Sequence, residues 1–136
     1  MSKESVMLIF GHRFIKSDNF YHVTNIDAIS NTPSNSVIYL DFSEDNLETI
    51  KHIVLNEITL ALGVKNITDL IYASSLGASY IVLTDSLAQT AQDIANNYLF
   101  DAKILIHISE ESEIEELAIL GVDGVILSNA IIKINS

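Results

Sequence analysis

The stretch LGVDGVILSNA, from Leu120 to Ala130, decides the fold of this chain. Gly121 follows a segment with helical periodicity, at the position where a helix favours a left-handed residue. An apolar strand, Gly124–Leu127, begins almost at once, and small polar residues come after it. This order of helix, glycine, buried strand and polar loop is typical of the join between two βα units of a parallel sheet.

A second copy of this join lies earlier in the chain. SLGASYIVL (Ser75–Leu83) and ILGVDGVIL (Ile119–Leu127) align without gaps, with Gly77 opposite Gly121. The interval between the two glycines has room for two βα units. The likeness has two explanations, duplication or independent use of the same helix stop, and both favour repeated βα units.

The rest of residues 37–136 follows the same pattern. Strands are predicted at Val37–Phe42, Ile58–Leu62, Tyr80–Thr84, Ile104–Ile108 and Gly124–Leu127, and helices at Glu44–Leu55, Ile67–Leu76, Leu87–Tyr98 and Glu110–Leu120. The strands are apolar on nearly every residue, as parallel strands covered on both faces are. The sequence therefore predicts an α/β fold with a mainly parallel sheet of about five βα-type strands. An open doubly wound sheet is favoured; a partial TIM-like barrel, or a half-barrel that closes against a second copy, is the alternative.

Residues 1–30 read differently, as short strands with tight turns. Val6–Phe10 and Arg13–Lys16 flank Gly11-His12, a two-residue signal for a β-hairpin, and Phe20–Thr24 is a possible third strand. Residues 31–36 form a loop by composition. Thirty residues cannot bury a core of their own, so the chain is predicted to be one domain over residues 1–136.

Composition excludes several functions. The 136 residues carry a formal net charge of −11, with seven basic residues against eighteen acidic ones. Without clustered Lys and Arg, we expect no binding to nucleic acid or to an anionic membrane surface. Cysteine is absent, which excludes disulfides and thiol catalysis. No apolar run reaches the roughly 20 residues of a membrane span, and no signal peptide is evident, so a cytoplasmic location is predicted.

Part of the chain resembles a known group of enzymes. AKILIHIS followed by EIEELAILGVDGVIL is similar to the late half of phosphate-binding (βα)8 barrels, such as thiamine-phosphate synthase and phosphoribosylanthranilate isomerase. The resemblance covers residues 102–130, and more loosely 37–130. It implies a phosphate site on the loops after the last two strands. Those loops would be Ser109-Glu110-Glu111 and Ser128-Asn129-Ala130, which lack the glycines of that site.

Functional side chains in a parallel α/β protein gather where strands end. The candidates for acid–base catalysis are His107, Asp85 and Asp41; the candidates for ligand binding are Lys65, Ser109, Ser128 and Asn129. His107 interrupts an apolar strand near its end, and Asp85 or Asp41 is predicted to orient its tautomer. Each position also has a structural interpretation, as a helix cap, a surface lysine or a core histidine.

The sequence thus favours a small non-catalytic domain that binds a ligand or self-associates. The alternative is a small-molecule enzyme with an acid–base site at the carboxyl ends of the strands. No cofactor or metal is predicted, since nucleotide-binding and zinc motifs are absent. His12 and Arg13 are predicted to lie in an exposed turn without a partner. The apolar tail, Ala130–Ser136, is predicted to dock on the body or to meet a second subunit.

Overall fold

A computed structural model describes residues 6–134 of the protein, and its centre is one curled sheet of eight parallel strands. The strands are β1 (Leu8–Phe10), β2 (Phe20–His22), β3 (Val37–Asp41), β4 (Leu60–Gly63), β5 (Tyr80–Leu83), β6 (Lys103–Ile108), β7 (Gly124–Leu127) and β8 (Ile131–Lys133). The helices are α1 (Ile26–Ile29), α2 (Leu47–Leu55), α3 (Ile67–Leu76), α4 (Ala88–Asn97) and α5 (Ile114–Leu120). The α/β class and the parallel sheet are confirmed, but the sheet has more strands than the five predicted.

The sheet curls because its two ends are tied together. Its strand order is β1-β7-β6-β5-β4-β3-β2-β8, so β7 and β8 lie near opposite ends. Only a short turn, Ser128–Ala130, joins them along the chain, which keeps the ends of the sheet close. The Asn129 side-chain amide also donates a hydrogen bond of 2.7 Å to the Gly11 carbonyl, just after β1.

This curl makes the favoured prediction of an open doubly wound sheet wrong. Consecutive strands from β2 to β7 are neighbours throughout, whereas a doubly wound sheet reverses its strand order. Within residues 6–134, the helices α1 to α5 contribute to the apolar layer on one face of the sheet, the convex face. The architecture is a curled half-barrel, as in the barrel-like alternatives.

The predicted hairpin at the N-terminal end is also wrong. β1 pairs in parallel with β7, with Leu8 opposite Gly124, and residues 13–16 form no strand. β2 pairs in parallel with β3 and β8. The Gly11-His12 signal is local, whereas pairing with distant strands buries Phe10 and Phe20 in the concave face, and that burial decides the outcome.

The two faces of the sheet carry separate apolar layers. On the convex face, aliphatic strand residues such as Ile104 and Val125 pack against buried helix residues such as Ile50, Leu70 and Ala91. On the concave face, the rings of Phe10, Phe20 and Tyr80 contact one another, with centroids 4.9, 5.6 and 5.3 Å apart. These rings fill the inside of the curl.

The join from Leu120 to Ala130 has a structural explanation at each step. Gly121 ends α5 in the left-handed conformation, at φ +84°. The Asp123 carboxylate accepts a 2.8 Å hydrogen bond from the Ile104 amide, which fixes the start of β6. A Cβ on Gly124 would lie 2.6 Å from the Leu8 carbonyl oxygen, so glycine is required for β1 to approach β7. The stretch is therefore first of all a well-built join.

The tail after β7 partly matches its prediction. Ile131–Lys133 form the edge strand β8, which docks on β2. Residues 135 and 136 lie outside the described part of the chain.

Candidate functional site

The candidate site is the concave side of the sheet at the carboxyl ends of the strands, which we call the mouth. Side chains alternate between the faces of a strand. On β6, Ile104, Ile106 and Ile108 face the helices, while Leu105 lies in the concave core, so His107 also faces the concave side. The same alternation assigns to the mouth His22, Asp41, Lys65, His107, Ser128 and Lys133.

His107 and Ser128 form the closest polar pair at the mouth. The His107 Nε2 atom lies 2.9 Å from the Ser128 Oγ atom, and both residues are exposed. Register explains the pair, because His107 stands opposite Ile126 of β7 and Ser128 comes two residues later on the same face. Asp41 and Asp85 were the predicted partners of His107. Over residues 6–134, neither is hydrogen-bonded to it.

Asp41 ends β3 beside a tyrosine and a glycine. A Cβ on Gly63 would lie 2.5 Å from the Tyr39 hydroxyl oxygen and 2.9 Å from Asp41 Oδ1, so Gly63 leaves room for both groups. Burial, and then the Asp41 carboxylate, raises the pKa of Tyr39 to about 12. The Tyr39 hydroxyl therefore keeps its proton at neutral pH and remains a hydrogen-bond donor.

Lys65 and Asp85 follow neighbouring strands and are both exposed. The Val64 amide donates to the Val82 carbonyl, so the ladder continues past β4, and alternation directs Lys65 towards the mouth. Asp85 instead begins a short 3-10 turn, Asp85–Leu87, after β5. The structure does not bring Asp85, Asp41 and His107 into mutual contact.

The other two predicted ligand residues make structural contacts. The Ser109 backbone amide donates to Glu113 Oε2 at 3.2 Å, within the capping arrangement that precedes α5. The Asn129 side-chain amide donates its hydrogen bond to the Gly11 carbonyl. Of the segment Ser128-Asn129, the serine hydroxyl is the group directed to the mouth.

Sequence reasoning missed three residues of the site. His22 lies opposite Tyr39 on β3 and Lys133 on β8, and its ring centroid is 4.9 Å from that of Tyr39. The sequence does indicate a strand at Phe20–Thr24, which contains His22. The neighbours of His22 could not be predicted, because they depend on the position of β2 between β3 and β8.

A second polar cluster lies on the loop after β1, where no partner was expected. His12 Nε2 and Arg13 Nη1 both contact Glu111 Oε2, at 2.8 and 3.0 Å. His12 Nδ1 accepts a hydrogen bond from the Phe14 amide, so Nε2 carries the proton that is donated to Glu111. The hydrogen bond from His12, and then the bond and charge of Arg13, lower the pKa of Glu111.

Over residues 6–134, no group of three or more His, Asp or Glu side chains is arranged to hold a metal ion. None of the helices in this range has the length and apolarity to cross a bilayer. Comparison with known protein families and with curated proteins finds no match.

Proposed function

We propose that the protein binds a small anionic molecule at the mouth. The observation that carries this proposal is the charge of the mouth. Among the side chains that strand alternation directs to the concave side, the two ammonium groups of Lys65 and Lys133 and the imidazoles of His22 and His107 accompany one carboxylate, Asp41, although the chain has a net charge of −11. The carboxylates Asp85, Glu110 and Glu111 lie in the turns after β5 and β6, outside this set. The rings of Phe10, Phe20 and Tyr80 fill the curl, so a ligand would rest on the rim rather than inside the sheet.

One half of the mouth offers hydrogen-bond donors on three adjacent strands. Lys133, His22 and Tyr39 are register partners on β8, β2 and β3, so their backbones lie about 5 Å apart from strand to strand. An ammonium, an imidazole and a protonated phenol can all donate to a phosphate or carboxylate oxygen. Hydrogen bonds with a charged partner are about twice as strong as neutral ones.

The other half adds His107 and Ser128, with Lys65 between the two halves. In this proposal strand side chains hold the anion, and the loops after β6 and β7, which lack glycine, do not cradle it. The resemblance to phosphate-binding barrels therefore supports a ligand at the carboxyl-end edge of the sheet. It does not support the individual contacts proposed for that ligand.

Calorimetric titration with inorganic phosphate and with succinate, and ribose as a neutral control, tests the proposal. Lys65→Ala and Lys133→Ala are each expected to weaken binding by about 10- to 100-fold, since a hydrogen bond to a charged group contributes about 1.5–3 kcal/mol. Lys103→Ala removes the same charge at the opposite end of β6 and is expected to leave binding unchanged. Equal losses in all three variants, or no binding by the parent protein, would contradict the proposal.

Self-association is the second candidate, and a separate surface favours it. Leu55, Tyr98, Leu99 and Ile119 lie at or near the carboxyl ends of α2, α4 and α5, and each is at least 76% exposed. Contiguous exposed apolar patches mark interaction surfaces, and Tyr98 and Leu99 are adjacent in the chain at this edge of the helix layer. Native mass spectrometry of the parent protein and of Leu99→Glu tests this candidate: a dimer lost in the variant supports it, and a parent monomer at high concentration rejects it.

A further inference from the structure

We infer that Ser128 is a nucleophile and His107 its general base, so that the mouth hydrolyses esters of small acids. The inference rests on the proposed function for the position of the substrate. It goes beyond that function because it assigns a covalent step. The sequence contains no GxSxG motif, so this pairing is visible only from the register of β6 and β7.

The geometry of the pair meets the first requirement of an activated serine. A distance of 2.9 Å between Nε2 and Oγ is within the range for a nucleophile and its base. Both side chains are exposed, so a substrate carbonyl can reach Oγ. The imidazole that accepts the hydroxyl proton must carry its own proton on Nδ1.

A purely structural role explains the contact less well. β6 and β7 are already aligned by their backbone ladder, from Leu105 opposite Gly124 to Ile108 opposite Leu127. The Asn129 side chain already ties the following turn to Gly11. A further bond between two exposed side chains adds little to stability.

The step balances without a cofactor. Ser128 Oγ attacks the ester carbonyl while its proton passes to His107 Nε2, and a tetrahedral adduct forms. The C–O bond to the leaving group then breaks, the leaving alkoxide takes the proton from Nε2, and an acyl-serine remains. Water attacks the acyl-serine with the same help from His107, which releases the acid and restores the hydroxyl.

The rate is expected to be modest, because no other residue within 6–134 hydrogen-bonds to the His107 side chain and its ring lacks an orienting group. General-base assistance contributes roughly 10²–10⁴-fold in enzymes. We expect a value near the lower end of that range.

Labelling with a fluorophosphonate, read by intact and peptide mass spectrometry, is the test, with p-nitrophenyl acetate hydrolysis in parallel. The adduct is expected on Ser128, with loss of fluoride. It is expected to be absent in Ser128→Ala and about 10²-fold slower in His107→Gln, whose amide can hold the hydroxyl but cannot take its proton. Ser112→Ala removes another exposed serine of the same edge and is expected to label like the parent.

Circular dichroism confirms that each variant folds before labelling is compared. Labelling elsewhere, no labelling of the parent protein, or equal rates for the parent and His107→Gln would overturn the inference. Phosphate titration of the parent protein separates this inference from the proposed function. A parent protein that binds phosphate but is not labelled leaves the binding proposal intact, whereas a parent protein that neither binds phosphate nor is labelled counts against the mouth itself.

Discussion

The convex and concave faces of the sheet are built by different means. The convex face is an apolar layer shared between strands and helices, and most of its side chains are aliphatic. The concave face holds a few aromatic rings, relies on Gly63 and Gly124 for close approach, and ends in a polar mouth. The comparison teaches that both faces stabilise the fold, while the concave face also carries the candidate site.

The largest expected effect tests whether the concave layer is a packed core. Phe20 is fully buried against Phe10 and Tyr80, so Phe20→Ala is expected to cost about 4 kcal/mol in the free energy of unfolding. Ile104→Ala on the convex face is expected to cost about 3 kcal/mol. Urea denaturation measures both.

Phe14→Ala is the matched control for this comparison, since Phe14 is 77% exposed and its loss is expected to change stability by no more than about 0.5 kcal/mol. If Phe20→Ala were as mild as Phe14→Ala, the concave face would not be a packed core.

The next prediction compares the stability cost of replacing the two glycines of the join from Leu120 to Ala130, Gly124 and Gly121. Gly124→Ala places a Cβ 2.6 Å from the Leu8 carbonyl oxygen and 2.7 Å from the Leu8 Cβ atom, and is expected to cost about 3 kcal/mol. Gly121→Ala meets no atom within 4 Å but keeps a positive φ, and is expected to cost about 1 kcal/mol. Thermal unfolding of the two variants should give them in that order. The reverse order would mean that β1 does not lie against β7.

A smaller effect concerns the carboxylate that fixes β6. Asp123→Ala leaves the Ile104 amide without its acceptor, and is expected to cost about 2 kcal/mol by urea denaturation. Asp101→Ala, an exposed aspartate close to the start of the same strand, serves as the control and is expected to change stability by less than about 0.5 kcal/mol. Equal costs would show that the amide is satisfied in another way.

The smallest effect is a pH dependence at the loop after β1. Because His12 and Arg13 hold the pKa of Glu111 below its usual value, this carboxylate stabilises the folded state above its unfolded pKa. That contribution is lost as the pH falls through the folded pKa. Melting temperatures between pH 7 and about pH 3 should therefore converge for the parent and Glu111→Gln.

Glu116→Gln, which removes an exposed carboxylate of α5 and leaves the contacts of Glu111 in place, is the control for the loss of one negative charge. A difference between the parent and Glu111→Gln that grew on acidification would contradict the assigned contacts.

The elements β3 to β7 and α2 to α5 could be predicted from the sequence because their signals are local, whereas the predicted doubly wound sheet placed helices on both faces. Short segments of sequence are enough to detect the apolar runs of β3 to β7 and the helical periodicity of α2 to α5. Gly77 and Gly121 mark the ends of α3 and α5. Those elements were placed with boundaries that differ by a few residues at most.

The concave face could not be predicted, because it depends on pairings between distant parts of the chain. The strands β1, β2 and β8 have three residues each and depend on their partners in the sheet. β1 pairs with β7, and β2 pairs with β3 and β8. His107 was identified from its place in an apolar strand. Ser128 is also among the predicted ligand-binding residues, but its pairing with His107 depends on the register of β6 and β7. The group of His22, Tyr39 and Lys133 likewise depends on the register of β2 with β3 and β8.

The central claim is that the mouth binds a small anion, and an NMR titration of the isotope-labelled protein with inorganic phosphate tests it most directly. We expect shift changes that saturate and that are centred on the mouth, at His22, Tyr39, Lys65, His107, Ser128 and Lys133. Signals of Lys103, at the opposite edge of the sheet, should stay in place. Changes centred on Lys103 or on the helices, or changes that never saturate, would contradict the account.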